Sequence, residues 1–379
     1  MIPLVYLDYS ANTPVDPAVL AVFCETEKAW FGNANSSHPA GRAAREELSR
    51  TTAAIAELLG TGDAEIIYTS GASESNNLAI KGIAQANRQR GRHIISTALE
   101  HPSVGGCLSA LQEKGWEIDL ADIRRDGTVD LEQLADLLRK DTALVSLSLV
   151  DSELGTVQPV EKVAGLLKNY PGCCLHLDAT QAVGKIPLQL AGVDTVSIAP
   201  HKFYGLNGSG LLVKKRELVI EPQIHGGSGP TLYRSGTPAL GLAAAARTAL
   251  QLALEHREER TRYVAALNAQ LRKALSAYPA VKINSPAGAV PHILNISVAG
   301  VGGVVFQRAL GERGICVSVK SACSTEGTPS RAVFAVSRDR KNALSSWRVS
   351  LSHLTTREDV GAFLEAFDLC YQELVPERG

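Results

Sequence analysis

The chain contains no run of about 18 apolar residues, so no stretch of it has the length of a membrane-spanning helix. Its opening residues, Met1-Ile-Pro-Leu-Val-Tyr-Leu-Asp8, carry no basic segment and reach a charge too soon for a secretory signal. Excess charge of either sign is missing as well. The 38 Lys and Arg against 39 Asp and Glu leave a formal net charge of −1, which gives no global attraction to nucleic acid or an anionic membrane. No C-x-x-C pair with zinc spacing occurs among the seven cysteines, and an odd count in so long a chain fits a reducing compartment better than a disulfide framework. Internal repeats and low-complexity tracts are lacking too. These absences lead to the expectation of a cytoplasmic globular protein, and 379 residues suffice for two or three domains and a large core.

What the chain does have is alternation. Short apolar runs at 66–69, 93–97, 117–120, 143–150, 173–177, 195–198 and 210–213 predict strands. Helical patterns at 41–59, 75–88, 104–114, 131–138 and 160–169 lie between them. The pattern predicts an α/β fold with a mostly parallel seven-stranded sheet covered by helices on both faces. Ligands in such sheets sit at the carboxyl ends of the strands. After Pro238 the composition shifts. Residues 240–276 read as one long helical stretch with at most one break, followed by strands at 281–284, 293–298 and 315–319. A last helix is expected at 356–374, with Thr355 or Thr356 as its N-cap and Glu358 in its first turn. The expected division is a large domain over 15–250 and a smaller α+β domain from 1–14 and 251–379.

The chemistry concentrates at two strand ends. One apolar run leads into His176-Leu-Asp178-Ala-Thr-Gln181, and the next into Ser197-Ile-Ala-Pro-His201-Lys202, followed by the glycine-rich Gly205-Leu-Asn-Gly208-Ser-Gly210. An acid and a lysine at neighbouring strand ends are what pyridoxal 5′-phosphate (PLP) needs: an amine for a Schiff base and a carboxylate for the pyridinium nitrogen. Gly71-Ala72-Ser73 follow a strand and open a helix, where free backbone N–H groups can cradle a phosphate. The same residues would also serve as an ordinary cap. His101, in Glu100-His101-Pro102-Ser103, is an imidazole able to stack on a ring and move protons, or a capping side chain. Gln181 is placed to meet a ring hydroxyl. Thr237, in Arg234-Ser-Gly-Thr237, is a second candidate for the phosphate, reaching across a dimer interface, or part of a turn. Cys323 lies in the polar, small-residue stretch Ser321-Ala-Cys323-Ser-Thr-Glu-Gly327, a setting suited to a nucleophilic thiol; the remaining cysteines read mostly as buried small hydrophobes. Arg348 is a fixed cation in a β-like context, suited to clamp an α-carboxylate or to form a surface ion pair.

Taken together, these motifs resemble the class I, NifS/IscS-like PLP-dependent cysteine desulfurases of the fold-type I aminotransferase group. The similarity runs nearly the whole length, from Tyr6-Leu-Asp8-Tyr-Ser-Ala11-Asn-Thr13-Pro14 and Gly32-Asn33-Ala-Asn35-Ser36-Ser-His38 through the segments above to Arg348 and Thr355-Thr356. The resemblance implies that Lys202 holds PLP, Asp178 faces the pyridine nitrogen, Gln181 faces the ring hydroxyl and His101 stacks on the ring and moves protons. It implies a phosphate held by Ala72, Ser73 and His201, with Thr237 supplied by a second subunit of a homodimer. Arg348, Asn35 and Ser152 would meet the substrate L-cysteine, and Ser152 would also lie near the ring hydroxyl. Cys323 would take the sulfur as a persulfide, leaving alanine, and pass it to an acceptor protein. The short Ser321-Ala-Cys323 segment resembles the class with a longer cysteine loop.

Three departures mark a divergent member. Asp151-Ser152-Glu153 stands where the family has Asn-Asn-Glu, which shortens one substrate contact and adds a charge. Ala199 replaces a serine three residues before the lysine, removing a phosphate hydrogen bond of about 1 kcal/mol. Gly226-Gly-Ser-Gly-Pro230 replaces Gly-Gly-Gly-Gln-Glu near the dimer-borne phosphate contact. A C–S lyase or selenocysteine lyase on the same scaffold is the alternative, and a partner-binding scaffold without activity the more remote one. The sulfur acceptor is left open.

Overall fold

The computed structural model describes residues 4–62, 64–227, 229, 231–320 and 327–375. In chain order its first part comprises β1 (Val5–Tyr6), α1 (Pro17–Ala29), α2 (Pro39–Leu58), β2 (Ala64–Thr69), α3 (Ala72–Asn87), β3 (His93–Thr97), α4 (Pro102–Gln112), β4 (Glu117–Ala121), α5 (Leu131–Leu137), β5 (Thr142–Ser148), α6 (Val160–Leu167), β6 (Cys174–Asp178), β7 (Thr195–Ile198), β8 (Gly210–Lys215) and α7 (Leu240–Glu255). Strands β2 to β8 form one sheet in the order β2-β8-β7-β6-β5-β3-β4. Every neighbour pair is parallel except the two made by β8, which runs antiparallel to β2 and β7. β3 and β5 are buried along their whole length, as strands covered on both faces must be.

The second part comprises α8 (Arg257–Leu275), β9 (Val281–Ile283), β10 (Ile293–Val298), α9 (Gly303–Glu312), β11 (Ile315–Cys316), α10 (Arg331–Ser337), α11 (Arg340–Leu344), β12 (Ser346–Ser350) and α12 (Arg357–Leu374). An antiparallel sheet β12-β10-β9 backs a second core of Val264, Leu271, Phe306, Trp347, Phe363 and Phe367. Strand β1 pairs in parallel with β11, so the N-terminal segment belongs to this second core through Val5 and Leu7. The segment then crosses to the large sheet: the Thr13 N–H donates to the His201 carbonyl at 3.1 Å.

The helix starts follow their caps. Asp16 accepts from the Ala18 N–H ahead of Pro17, and Asp130 accepts from Glu132 and Gln133. Thr356 and Asp359 form a reciprocal capping box on α12. The long stretch at 240–276 is broken once, at His256. Two expectations are corrected. Helix α3 begins at Ala72 and not at 75, so the small residues after β2 are the helix start itself. The strand expected at 315–319 is only Ile315–Cys316, because the chain leaves β1 there. Ser318 then makes a single antiparallel bridge to Arg348 on β12. Of the described thiols, Cys107, Cys173 and Cys370 are buried, Cys174 and Cys316 partly so, and Cys24 is exposed.

Candidate active site

The carboxyl ends of β2, β5, β6 and β7 and the starts of α3 and α4 surround a cavity of about 370 Å3. Gly71, Ala72, Ser73, His101, Ser152, Asp178, Gln181, His201, Lys202 and Arg348 all line it. On one side the chain turns from β2 into α3 so tightly that a Cβ on Gly210 of β8 would lie 2.5 Å from the Gly71 carbonyl carbon. Only glycine lets these two backbones meet. Among the described residues no side chain caps the α3 N-terminus, whose first residues line the cavity. Glu74, in the first turn, accepts from the Ser70 N–H and pairs with Arg234 at 3.0 Å; burial raises its carboxyl, but these partners together hold it below the usual range.

Asp178 ends β6 and is buried. Its Oδ1 accepts from the Thr180 N–H at 2.9 Å and its Oδ2 from Asn76 Nδ2 at 2.9 Å. Lys202 sits in the short turn after β7, with Nζ 2.8 Å from the Ser10 carbonyl and 2.6 Å from that of Ala11. Gln181 Nε2 donates to the same Ser10 carbonyl at 2.8 Å, while its Oε1 accepts from Lys185 Nζ at 2.5 Å. Desolvation of the half-buried Lys185 ammonium pushes its pKa down to about 7, helped by the nearby charges of Lys202 and Arg348. Tyr204, just past the lysine, holds a left-handed φ of 68°. That conformation costs roughly 1–2 kcal/mol in a non-glycine residue. It is pinned by Thr13 Oγ1, which accepts from the Tyr204 N–H at 2.8 Å, and by the Tyr204 hydroxyl 2.5 Å from Ser352.

Electrostatics keep the imidazoles neutral. Burial lowers the pKa of His101, with Asp178 opposing and Lys202 assisting, and burial takes His201 down to about 4. Glu100, below the cavity, is pushed up to about 7 by burial and accepts from Thr97 and Ser148.

A second wall comes from the N-terminal segment and β12, and its Ser10 carbonyl touches Lys202 and Gln181. Arg348 is buried, not a surface ion pair: Nη2 meets Asp8 Oδ1 at 2.8 Å and Nη1 donates to the Ser152 carbonyl at 2.7 Å. Ser318 donates to the other Asp8 oxygen. The charge expected at Asp151 is only partly present near neutrality. Burial, and then repulsion from Glu153, push its carboxyl up to about 7. Its Oδ1 accepts from the Glu153 and Leu154 N–H groups, so the side chain closes a turn instead of facing the cavity. Ala199 lines the cavity as a methyl group.

Two expected site residues lie elsewhere in this single chain. Thr237 lines a neighbouring groove that shares Ser70 with the cavity. Asn35 is exposed, and its backbone N–H donates to the Asn33 side chain. Cys323 lies outside the described residues. Sequence reasoning missed Asn76, Ser103, Lys185 and Asp8 as parts of this site. The available signal was a polar pair, Ser75-Asn76, on what becomes a fully buried face of α3.

The donor set fits one class of group. An open helix N-terminus suits a phosphate, a carboxylate held by two donors suits a protonated ring nitrogen, and a lysine between them suits an aldehyde. The comparisons agree. The aminotransferase class-V family model matches residues 5–363, and the chain belongs to that family. It is 36% identical to the cysteine desulfurase IscS of Dictyoglomus turgidum, over 98% of this chain and 95% of the relative. It is 37% identical to the cysteine desulfurase IscS of Azotobacter vinelandii, over 94% of this chain and 90% of the relative. A solved NifS-like protein superposes with a TM-score of 0.91 at 32% identity, covering 98% of this chain and all of that one. The fold is accordingly that of the fold-type I PLP enzymes, and PLP is the cofactor of this family.

Proposed function

We infer that Lys202, Asp178, Gln181 and His101 hold and work the PLP of an L-cysteine desulfurase. The observation that carries this assignment is their convergence, with the α3 N-terminus, on one cavity at the strand ends. When bound, PLP supplies an electron sink for the substrate's amino-acid carbon. The protein does the rest. The N–H groups of Ala72 and Ser73, with His201, bind the phosphate, and Thr237 of a second copy completes that site in a homodimer. Asp178 holds a proton at the ring nitrogen. Lys202 Nζ would hold the cofactor's aldehyde carbon in the resting enzyme and, once freed, would carry protons at the substrate carbon, with neutral His101 beside it. Arg348 binds the substrate carboxylate with the N–H positions that Asp8 and Ser152 leave over. Ser152 contributes at the same end.

Cys323 attacks as thiolate. Its sulfur bonds to the substrate sulfur as the substrate C–S bond breaks, giving a persulfide on Cys323 and, after proton return to the β-carbon, alanine. An acceptor protein then takes the outer sulfur. A cytoplasmic setting agrees with the absence, among the described residues, of any helix long and apolar enough to cross a membrane. The test is Cys323→Ser. It should abolish alanine formation and the protein persulfide while the visible absorbance of the lysine-bound cofactor stays. Unchanged alanine output would remove Cys323 from the reaction. Pyruvate and ammonia in place of alanine would mark a C–S lyase.

A further inference from the structure

Behind the cavity lies a buried polar chain that the roles above do not use. Asn76 sits in the second turn of α3 with its side chain completely enclosed. Its Nδ2 lies 2.9 Å from Asp178 Oδ2 and 2.9 Å from Ser103 Oγ, and its Oδ1 lies 3.0 Å from His176 Nε2. His176 Nδ1 in turn lies 2.9 Å from Thr195 Oγ1, and Ser103 Oγ lies 2.9 Å from His101 Nδ1.

The direction of every bond follows from one fact: an ionised carboxylate only accepts. Asn76 therefore turns its amide nitrogen toward Asp178 and its oxygen toward His176. His176 must donate from Nε2, so its Nδ1 accepts the Thr195 hydroxyl proton. This suits a ring that burial keeps neutral, with a pKa near 4. The second Asn76 proton goes to Ser103 Oγ, which aims the Ser103 hydroxyl proton at His101 Nδ1. The Ser103 N–H already donates to that same nitrogen at 3.1 Å. The proton of neutral His101 is thereby confined to Nε2.

We propose that Asn76, locked by His176, is the positioning residue that holds the Asp178 carboxylate toward the cofactor nitrogen and ties it through Ser103 to His101. The proposal rests on the assignment of Asp178 to that nitrogen. Without Asn76, the Asp178 Oδ2 would lose its donor among the described residues, and Ser103 would be free to turn its hydroxyl away from His101. Replacing a charge-assisted bond of this kind is worth about 10- to 100-fold in an equilibrium constant.

The test is a double-mutant cycle read as the PLP dissociation constant, from the visible absorbance of full-length protein titrated with PLP. Asn76→Ala should weaken PLP binding by about 10- to 100-fold in the native background and by threefold or less in the Asp178→Asn background, because its effect passes through the carboxylate. Nitrogen NMR of the His101 ring in PLP-free protein gives a second reading. Asn76→Ala should shift the His101 Nδ1 signal, and Asn76→Ser, which restores a short donor, should return it part of the way. Equal weakening in both backgrounds would overturn the proposal by making Asn76 a packing residue, and so would an unchanged dissociation constant in the single variant. If Asn76→Ala does not fold, Asn76→Leu, which keeps the volume and removes the donor, carries the same cycle with the same criteria. If Asp178→Asn itself leaves PLP binding and absorbance untouched, the underlying assignment of Asp178 fails. An effect of Asp178→Asn without one from Asn76→Ala overturns only the positioning role.

Discussion

The two walls of the cavity are built differently. The wall carrying Asp178, Gln181, Lys202 and His101 grows out of the large parallel sheet: Asp178 is held by Asn76 of α3, and Gln181 and Lys202 both donate to the Ser10 carbonyl of the N-terminal segment. The wall carrying Arg348 is assembled from three separate pieces: the N-terminal segment through Asp8, β12, and the turn at Asp151-Ser152. Two of the three sequence departures lie on these walls, and the unequal support decides what each does. Ala199 removes a hydroxyl from the sheet-built wall without disturbing its scaffold. Asp151 instead puts a buried acid with an unpartnered Oδ2 among the described residues into the turn that Arg348 leans on. The sheet-built wall suits a group common to the whole family. The assembled wall is where substrate preference can vary.

That contrast can be broken first at Arg348. Arg348→Lys keeps the charge but loses the planar fork that reaches both Asp8 and the Ser152 carbonyl. Steady-state kinetics should show kcat/KM for L-cysteine falling about 100-fold, chiefly through KM, with PLP affinity unchanged. A matching loss of PLP affinity would erase the distinction between the walls.

A smaller effect is expected at Asp151, read from thermal unfolding against pH. Its carboxyl rises from 3.8 to about 7 on folding. Between those values the folded chain binds more protons than the unfolded one. Stability is therefore lost as pH rises from about 4 to about 7, and the loss is complete above that range. Asp151→Asn should flatten this part of the profile and raise Tm above pH 7 by about 5 °C. An unchanged slope would mean that Asp151 keeps its charge in the folded state.

The parallel sheet and the acid and lysine at adjacent strand ends were legible because each rests on local pattern: apolar runs of strand length, punctuated by the residues that begin a turn. Helix α1 was not, because its Ala, Val and Glu make no clear apolar stripe and only Val19 is fully buried. Asn76 and Asp8 were illegible as site residues for another reason. Their partners lie 102 and 340 residues away, so their roles exist only once the sheet and the N-terminal crossing have formed. Lys185 carries a related lesson. A lysine four residues past Gln181 looks solvated in sequence, yet here it is half-buried and its ammonium donates to Gln181.

Lys185, Lys202 and Lys214 are all enclosed to some degree, and the account gives only one of them the cofactor. Reducing the lysine–cofactor bond with borohydride and mapping the retained pyridoxyl group by peptide mass spectrometry decides the matter. The label is expected on Lys202 alone. A label on Lys185 or Lys214, or none in protein that has bound PLP, would contradict it.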